Sequence, residues 1–186
     1  MKLIAPFIAA IAVGIVFALG SASYTTVPDA PPPPPGVTHL TREIAVYGQL
    51  RVDEVAELGR AGYDAIIDLR PDGEAPDQAP SAALAAEARS VGIKFFYAPV
   101  AHGAIADGAV ATLETALAST SGRVLLYCRS GKRAARTWSL VEASRPGGRN
   151  AAQILAAVKD SGQSADDLAA DIARRIAARK TPVALQ

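Results

Sequence analysis

One stretch limits the folds open to this chain more than any other: Val124-Leu125-Leu126-Tyr127-Cys128-Arg129-Ser130-Gly131-Lys132-Arg133-Ala134-Ala135. It starts as a short apolar β run and ends as the first turn of an alanine-rich helix. Between the two sits the only cysteine of the 186 residues. A strand that feeds a tight glycine turn and then a helix leaves the first helical N–H groups without intrahelical acceptors, at the positive end of the helix dipole. Such a turn attracts anions, and Arg129, Lys132 and Arg133 add positive charge. A free thiol titrates near pH 8.5, and helix N-termini with adjacent cations bring that down to roughly 3.5–7.5. The loop is therefore expected to present Cys128 as a nucleophilic thiolate, with Arg129, Ser130, Gly131, Lys132 and Arg133 as its anion-binding cradle. A structural cysteine, the usual fate of a lone buried Cys, leaves those cations and the glycine unexplained.

Composition removes several function classes. A formal net charge of +1, with no basic stripe interleaved with aromatics, gives no footprint for a nucleic-acid partner. One Cys and two distant histidines, His39 and His102, cannot make a zinc site alone, so no metal and no cofactor is implied. Residues 1–23 read as a signal peptide or an N-terminal membrane anchor: Lys2 is the only early charge and Leu3 to Leu19 is apolar apart from Pro6 and Gly14. The length of that run borders on both secretory signals and membrane spans. Either outcome puts the domain on the periplasmic or extracytoplasmic side, tethered to the inner membrane if residues 3–19 stay attached. Residues 24–37 form a Pro-rich linker in which Pro31 to Pro35 favour polyproline II, a semi-rigid spacer. What remains, residues 38–180, is large enough for one domain with its own core.

Within that domain strands and helices alternate. Ile44 to Tyr47 reads as a strand, Val52 to Arg60 as an amphipathic helix, and Ala65 to Leu69 as a buried strand closed by the turn Arg70-Pro71-Asp72-Gly73. Ser81 to Val91 predicts a helix ended by Gly92, Lys94 to Val100 an aromatic-rich strand, and Asp107 the cap of a helix to about Ser119. After the strand Val124 to Tyr127, helices are expected over Lys132 to Ala143, over Asn150 to Lys159, and from a Ser164 cap with Asp166 and Asp167 in the first turn. The alternation argues for an α/β fold, a mostly parallel central sheet flanked by helices. Ligands bind such sheets beyond the carboxyl ends of the strands, where Cys128, Arg70 and His102 are expected to emerge.

Cys-Arg-Ser-Gly-Lys-Arg after an apolar strand resembles the active-site loop of rhodanese-type sulfurtransferases. The wider pattern joins Tyr47-Gly48-Gln49-Leu50, Ile67-Asp68-Leu69-Arg70-Pro71-Asp72-Gly73-Glu74, Ala98-Pro99-Val100 and Tyr127 to Arg133. Together these resemble the phosphatase-like domain of beta-lactamase-hydrolase-like proteins, a group also described as sulfur transferases, over roughly Thr38 to Ile176. The resemblance implies a dual-specificity-phosphatase-like fold with Cys128 as nucleophile.

Loop length bears on the reaction. Cysteine phosphatases as a family place an arginine six positions after the nucleophile; here that position is Ala134 and Arg133 comes one residue early. Phosphoryl transfer also wants an acid on the leaving oxygen, and Pro99 to Gly103 holds no carboxylate. Asp107 is the nearest and reads as a helix cap, while His102 is an alternative acid or simply a solvated histidine. A persulfide relay needs neither clamp nor acid, so sulfur transfer is favoured. A small donor such as thiosulfate or a persulfide supplies the sulfur, and an external thiol accepts it because the chain has no second cysteine. The alternatives are a phosphatase forming a phosphocysteine on Cys128, and a non-enzymatic redox or anion-sensing module. Arg70 is a candidate for binding an anionic substrate or for a salt bridge to Asp68 or Glu74. Trp138 reads as core, Arg136 as either directed toward the pocket or, the commoner outcome, an exposed helical arginine, and Asp166, Asp167 and Asp171 as a solvated face balanced by Arg174 and Arg175.

Overall fold

The computed structural model describes residues 30–179. The segment 1–23 expected to direct export lies outside them, as does the start of the expected linker. Among the described residues no helix is long and apolar enough to cross a membrane. The end of the linker packs on the domain: Pro34 is buried, and the Val37 amide donates to its carbonyl across a turn.

Five strands make one sheet: β1 (Thr38–His39), β2 (Ile44–Tyr47), β3 (Ala65–Asp68), β4 (Lys94–Tyr97) and β5 (Val124–Tyr127). Their order is β1-β2-β5-β3-β4, antiparallel only at β1–β2. The helices are α1 (Val52–Arg60), α2 (Ser81–Ser90), α3 (Asp107–Ala118), α4 (Lys132–Ser144), α5 (Ala151–Asp160) and α6 (Ala169–Ala177), with a 3-10 turn over Asp166–Leu168 before α6. Strand β5 is central because all four of its residues are apolar and buried on both faces. Alternation along the strands then sorts the core. Val46, Ile67, Leu126 and Cys128 face one cluster with Val110, Leu113, Trp138 and Ile154, while Ala45, Ile66, Leu125 and Tyr127 face Val55, Leu58 and Leu84. Each fully buried Leu or Ile contributes about 1.5–3 kcal/mol. Trp138, 2 % exposed, is core as expected.

Three expectations need correction. The Lys94 strand ends at Tyr97, although the Ala98 and Val100 amides still donate to Asp68 and Leu69 carbonyls as the chain leaves the sheet. Asp107 is not a cap: Ala106 holds that position without a side-chain bond, and the Asp107 carboxylate pairs with Arg175 on α6. The last helix is preceded by the separate 3-10 turn, with Ala165 rather than Ser164 at its N-cap; the Ser164 hydroxyl accepts from the Asp166 amide. Asn150, by contrast, caps α5 through a reciprocal bond with Gln153.

Candidate active site

Cys128 follows the last residue of β5, and the loop Arg129–Gly131 turns the chain into α4. Gly131 makes that turn possible. Its φ of +82° is left-handed, and a Cβ there would lie 3.1 Å from Gln163 Nε2. Gln163 holds the loop from outside by donating to the Ser130 carbonyl at 3.2 Å. Gly48, at the end of β2, forms an antiparallel bridge with Ser130. Cys128 itself is 1 % exposed, yet it contributes to the floor of a cleft of about 400 Å³.

The cleft brings together Cys128, Arg129, Ser130, Lys132 and Arg133 from the loop and helix start, and Ala101, His102, Gly103 and Ile105 from the segment after β4. Arg136 and Asp167 complete it. Arg70 does not line it. It lies behind the cleft, 3 % exposed, with Nε donating to Glu74 Oε2 at 3.2 Å and Nη1 to the Gln49 side chain. Its backbone amide donates to Asp68 Oδ1 at 2.8 Å.

The loop's cations divide into two sets. Arg133 turns inward, with Nη1 donating to the Val100 carbonyl at 2.6 Å and Nη2 to Glu74 Oε2 at 3.1 Å. Glu74 Oε1 lies 2.9 Å from Arg133 Nη1. His102 overhangs this pair, its Nε2 3.2 Å from Arg133 Nη2 and 3.6 Å from Glu74 Oε1. A neutral imidazole accepts there from the guanidinium. Arg129 and Lys132 stay exposed, and among the described residues neither side chain has an ion-pair partner.

Two carboxylates paired with the cleft's arginines are held ionised. Burial works against the Glu74 charge, but the guanidiniums of Arg133 and Arg70 outweigh it and keep the carboxyl below its usual range. The Arg136 fork does the same for Asp167. Asp68 behaves oppositely. Burial dominates and pushes it up to about 6, against the Tyr127 hydroxyl and the Arg70 amide, and among the described residues its Oδ2 has no hydrogen-bond partner. Burial, then Asp68, push the Tyr127 hydroxyl up in turn.

Two residues acquire roles the sequence did not give them, and Arg136 takes the less common of its two expected places. Glu74 figured only as a partner for Arg70, yet it joins two arginines from different elements. Arg136 has a side chain only 17 % exposed and lines the cleft; its spacing three and four residues after Arg133 and Lys132 was the available clue. Asp167, expected on a solvated face, pairs with Arg136 across 31 positions of sequence, for which no local pattern exists. Asp171 does pair with Arg174 and Arg175 as expected.

Comparison with known proteins agrees with this architecture. Residues 36–145 match the family described as "Beta-lactamase hydrolase-like protein, phosphatase-like domain". A beta-lactamase hydrolase-like protein of Xylella fastidiosa is 37 % identical over 106 residues, which make up 57 % of this chain and 25 % of that protein. The match thus spans a quarter of that relative's length. A candidate phosphatase of Neisseria meningitidis superposes with a TM-score of 0.66 at 22 % identity, covering 75 % of this chain and 98 % of the other. Tk-PTP in its active form gives 0.60 at 15 % identity, covering 78 % and 99 %. The fold is that of the dual-specificity type of cysteine phosphatase.

Proposed function

The chain belongs to the family of beta-lactamase hydrolase-like phosphatase-like domains, and from that premise we propose that it is a sulfurtransferase working through a persulfide on Cys128. The fold supports a cysteine-based hydrolase or a related activity, and the choice between reactions rests on one observation. Arg133, one residue short of the clamp position of a phosphatase loop, is spent on Glu74 and the Val100 carbonyl, and the one carboxylate lining the cleft among the described residues, Asp167, is held ionised by Arg136. No carboxylic acid stands ready to protonate a leaving alkoxide.

Sulfur transfer needs no such acid. The Cys128 thiolate attacks the outer sulfur of thiosulfate; the S–S bond breaks and its electron pair leaves with sulfite. The persulfide rests over the loop amides, with Arg129 and Lys132 compensating its charge. An incoming thiolate, its proton already lost to solvent, attacks the terminal sulfur. The Cys128–sulfur bond then breaks and its pair returns to Cys128 as thiolate. The acceptor is an external thiol, since Cys128 is the chain's only cysteine.

The test is cyanide-dependent release of sulfite from thiosulfate. Wild-type turnover with none in Cys128→Ser supports the reading, and full activity in the serine variant overturns it. The second reading is a phosphatase that passes through a phosphocysteine. His102 favours it as the leaving-group acid overhanging the cleft, and aryl phosphate hydrolysis lost in His102→Asn would support it. We also propose that residues 1–23 carry the domain to the extracytoplasmic side; recovery of the full chain in the cytoplasmic fraction would contradict this.

A further inference from the structure

The cleft holds more positive charge than a single small anion over Cys128 requires. Arg129, Lys132 and Arg136 lie there in addition to the inward-turned Arg133. Arg136 is the most enclosed of the three: its side chain is 17 % exposed, and its two terminal nitrogens face the two oxygens of Asp167, Nη2 donating to Oδ2 at 2.8 Å. This is the bidentate fork by which arginine recognises a planar carboxylate. The occupant is unlike its seat. The Asp167 side chain is 64 % exposed and comes from the 3-10 turn before α6, not from the loop or α4. Asp167 can therefore return to water while an incoming carboxylate takes its place on the guanidinium, so the enclosed Arg136 need not be left without an anion.

We propose that Arg136, flanked by Lys132 and Arg129, is a carboxylate subsite for the substrate, occupied in the resting protein by Asp167 acting as an internal stand-in. It would take a small organic thiol or persulfide that carries a free carboxylate, seating the sulfur at Cys128 and the carboxylate on Arg136. This rests on the sulfur-transfer reading for the identity of the reacting group, but the subsite itself can be measured without any turnover. Specificity follows from its placement: substrates lacking the carboxylate leave the Arg136–Asp167 pair closed, and substrates bearing one exchange with Asp167 for the same guanidinium. Asp167 therefore weakens binding of every carboxylate ligand by competition.

The experiment is protection of Cys128 in the full chain against alkylation by iodoacetamide. The probes are 3-(methylthio)propionate and 2-(methylthio)ethanol, thioethers that neither donate nor accept sulfur and differ in the carboxylate. The subsite predicts that the propionate protects at least about ten-fold better than the alcohol, the scale of one charge-assisted pair. Arg136→Met removes that preference, and Arg136→Lys restores part of it. Asp167→Asn, a change at an exposed side chain, strengthens protection by the propionate about three-fold. Equal protection by the two thioethers overturns the proposal, as does a preference that survives Arg136→Met or a loss of protection in Asp167→Asn. If the preference follows Arg136 but thiosulfate leaves no sulfur on Cys128, the carboxylate subsite stands and the sulfur-transfer reading falls.

Discussion

Two glutamates, Glu74 and Glu142, each gather two arginines, and helix α4 connects them: Arg133 at its start belongs to the first and Glu142 near its end is the second. Glu142 is 5 % exposed and accepts from Arg145 Nη2 at 2.8 Å, the Arg149 amide at 2.9 Å and Arg149 Nη1 at 3.2 Å. Its arginines are near neighbours in sequence, and their side chains are 53 % and 37 % exposed. Those of Glu74 come from the end of β3 and the start of α4, and are 4 % and 11 % exposed. The local cluster ties off a helix. The non-local one fixes one wall of the cleft relative to the other. What matters is the environment left behind when the carboxylate is removed: solvent for Arg145 and Arg149, the interior for Arg70 and a largely enclosed place at the edge of the cleft for Arg133.

Removing each carboxylate separates these cases most strongly. Glu74→Ala strands two enclosed cations, which costs about 3–5 kcal/mol. It also frees Arg133 at the start of α4, next to the loop that carries Cys128, so kcat/KM for cyanide-dependent thiosulfate turnover falls at least about 100-fold through lost loop positioning. Urea unfolding and steady-state kinetics measure both; a stable variant with full activity would erase the distinction between the clusters. Glu142→Ala is expected to lose about 1–2 kcal/mol, because Arg145 and Arg149 return to water and mainly the Arg149 amide loses its acceptor. Its turnover per folded molecule stays within about two-fold of wild type, since most of helix α4 lies between it and the thiol.

Asp68 sharpens the comparison because it is a buried carboxylate without an arginine side chain to hold its charge. Its folded carboxyl sits at about 6, above the ordinary value of 3.8, so the folded state binds the proton more tightly than the unfolded one. The stability linked to that proton is fully present below about pH 4 and is lost as pH rises through 6. Over that window the span is about 3 kcal/mol. Asp68→Asn keeps an oxygen for the Arg70 amide, so it should raise the melting temperature at pH 8 and leave it nearly unchanged at pH 4. Equal shifts at both values would mean that Asp68 does not titrate in the fold. The smallest effect belongs to Arg174, 71 % exposed beside Asp171: Arg174→Ala should move the melting temperature by less than about 2 °C.

The strands, the helices and the strand–loop–helix around Cys128 were legible because each is written locally. Apolar runs of four residues, glycines past helix ends, and a cysteine between a strand and a glycine turn need no distant partner to be recognised. The organisation of the cleft was not, because it depends on pairs far apart in sequence. Glu74 reaches Arg133 across 59 positions, and Asp167 reaches Arg136 across 31. Charged residues on a helix look solvated until the opposing element is known, which is why Asp167 reads as surface and Arg136 as surface more often than pocket. Asp107 misled for the same reason, since a carboxylate at a helix start serves equally as a cap or as a partner for a guanidinium on α6.

The reaction at Cys128 is read most directly by the intact mass of the protein after incubation with thiosulfate and removal of small molecules. A gain of one sulfur atom on wild type, absent in Cys128→Ser and reversed by cyanide, is the predicted result. An unchanged mass, together with steady hydrolysis of an aryl phosphate by the same preparation, would contradict it.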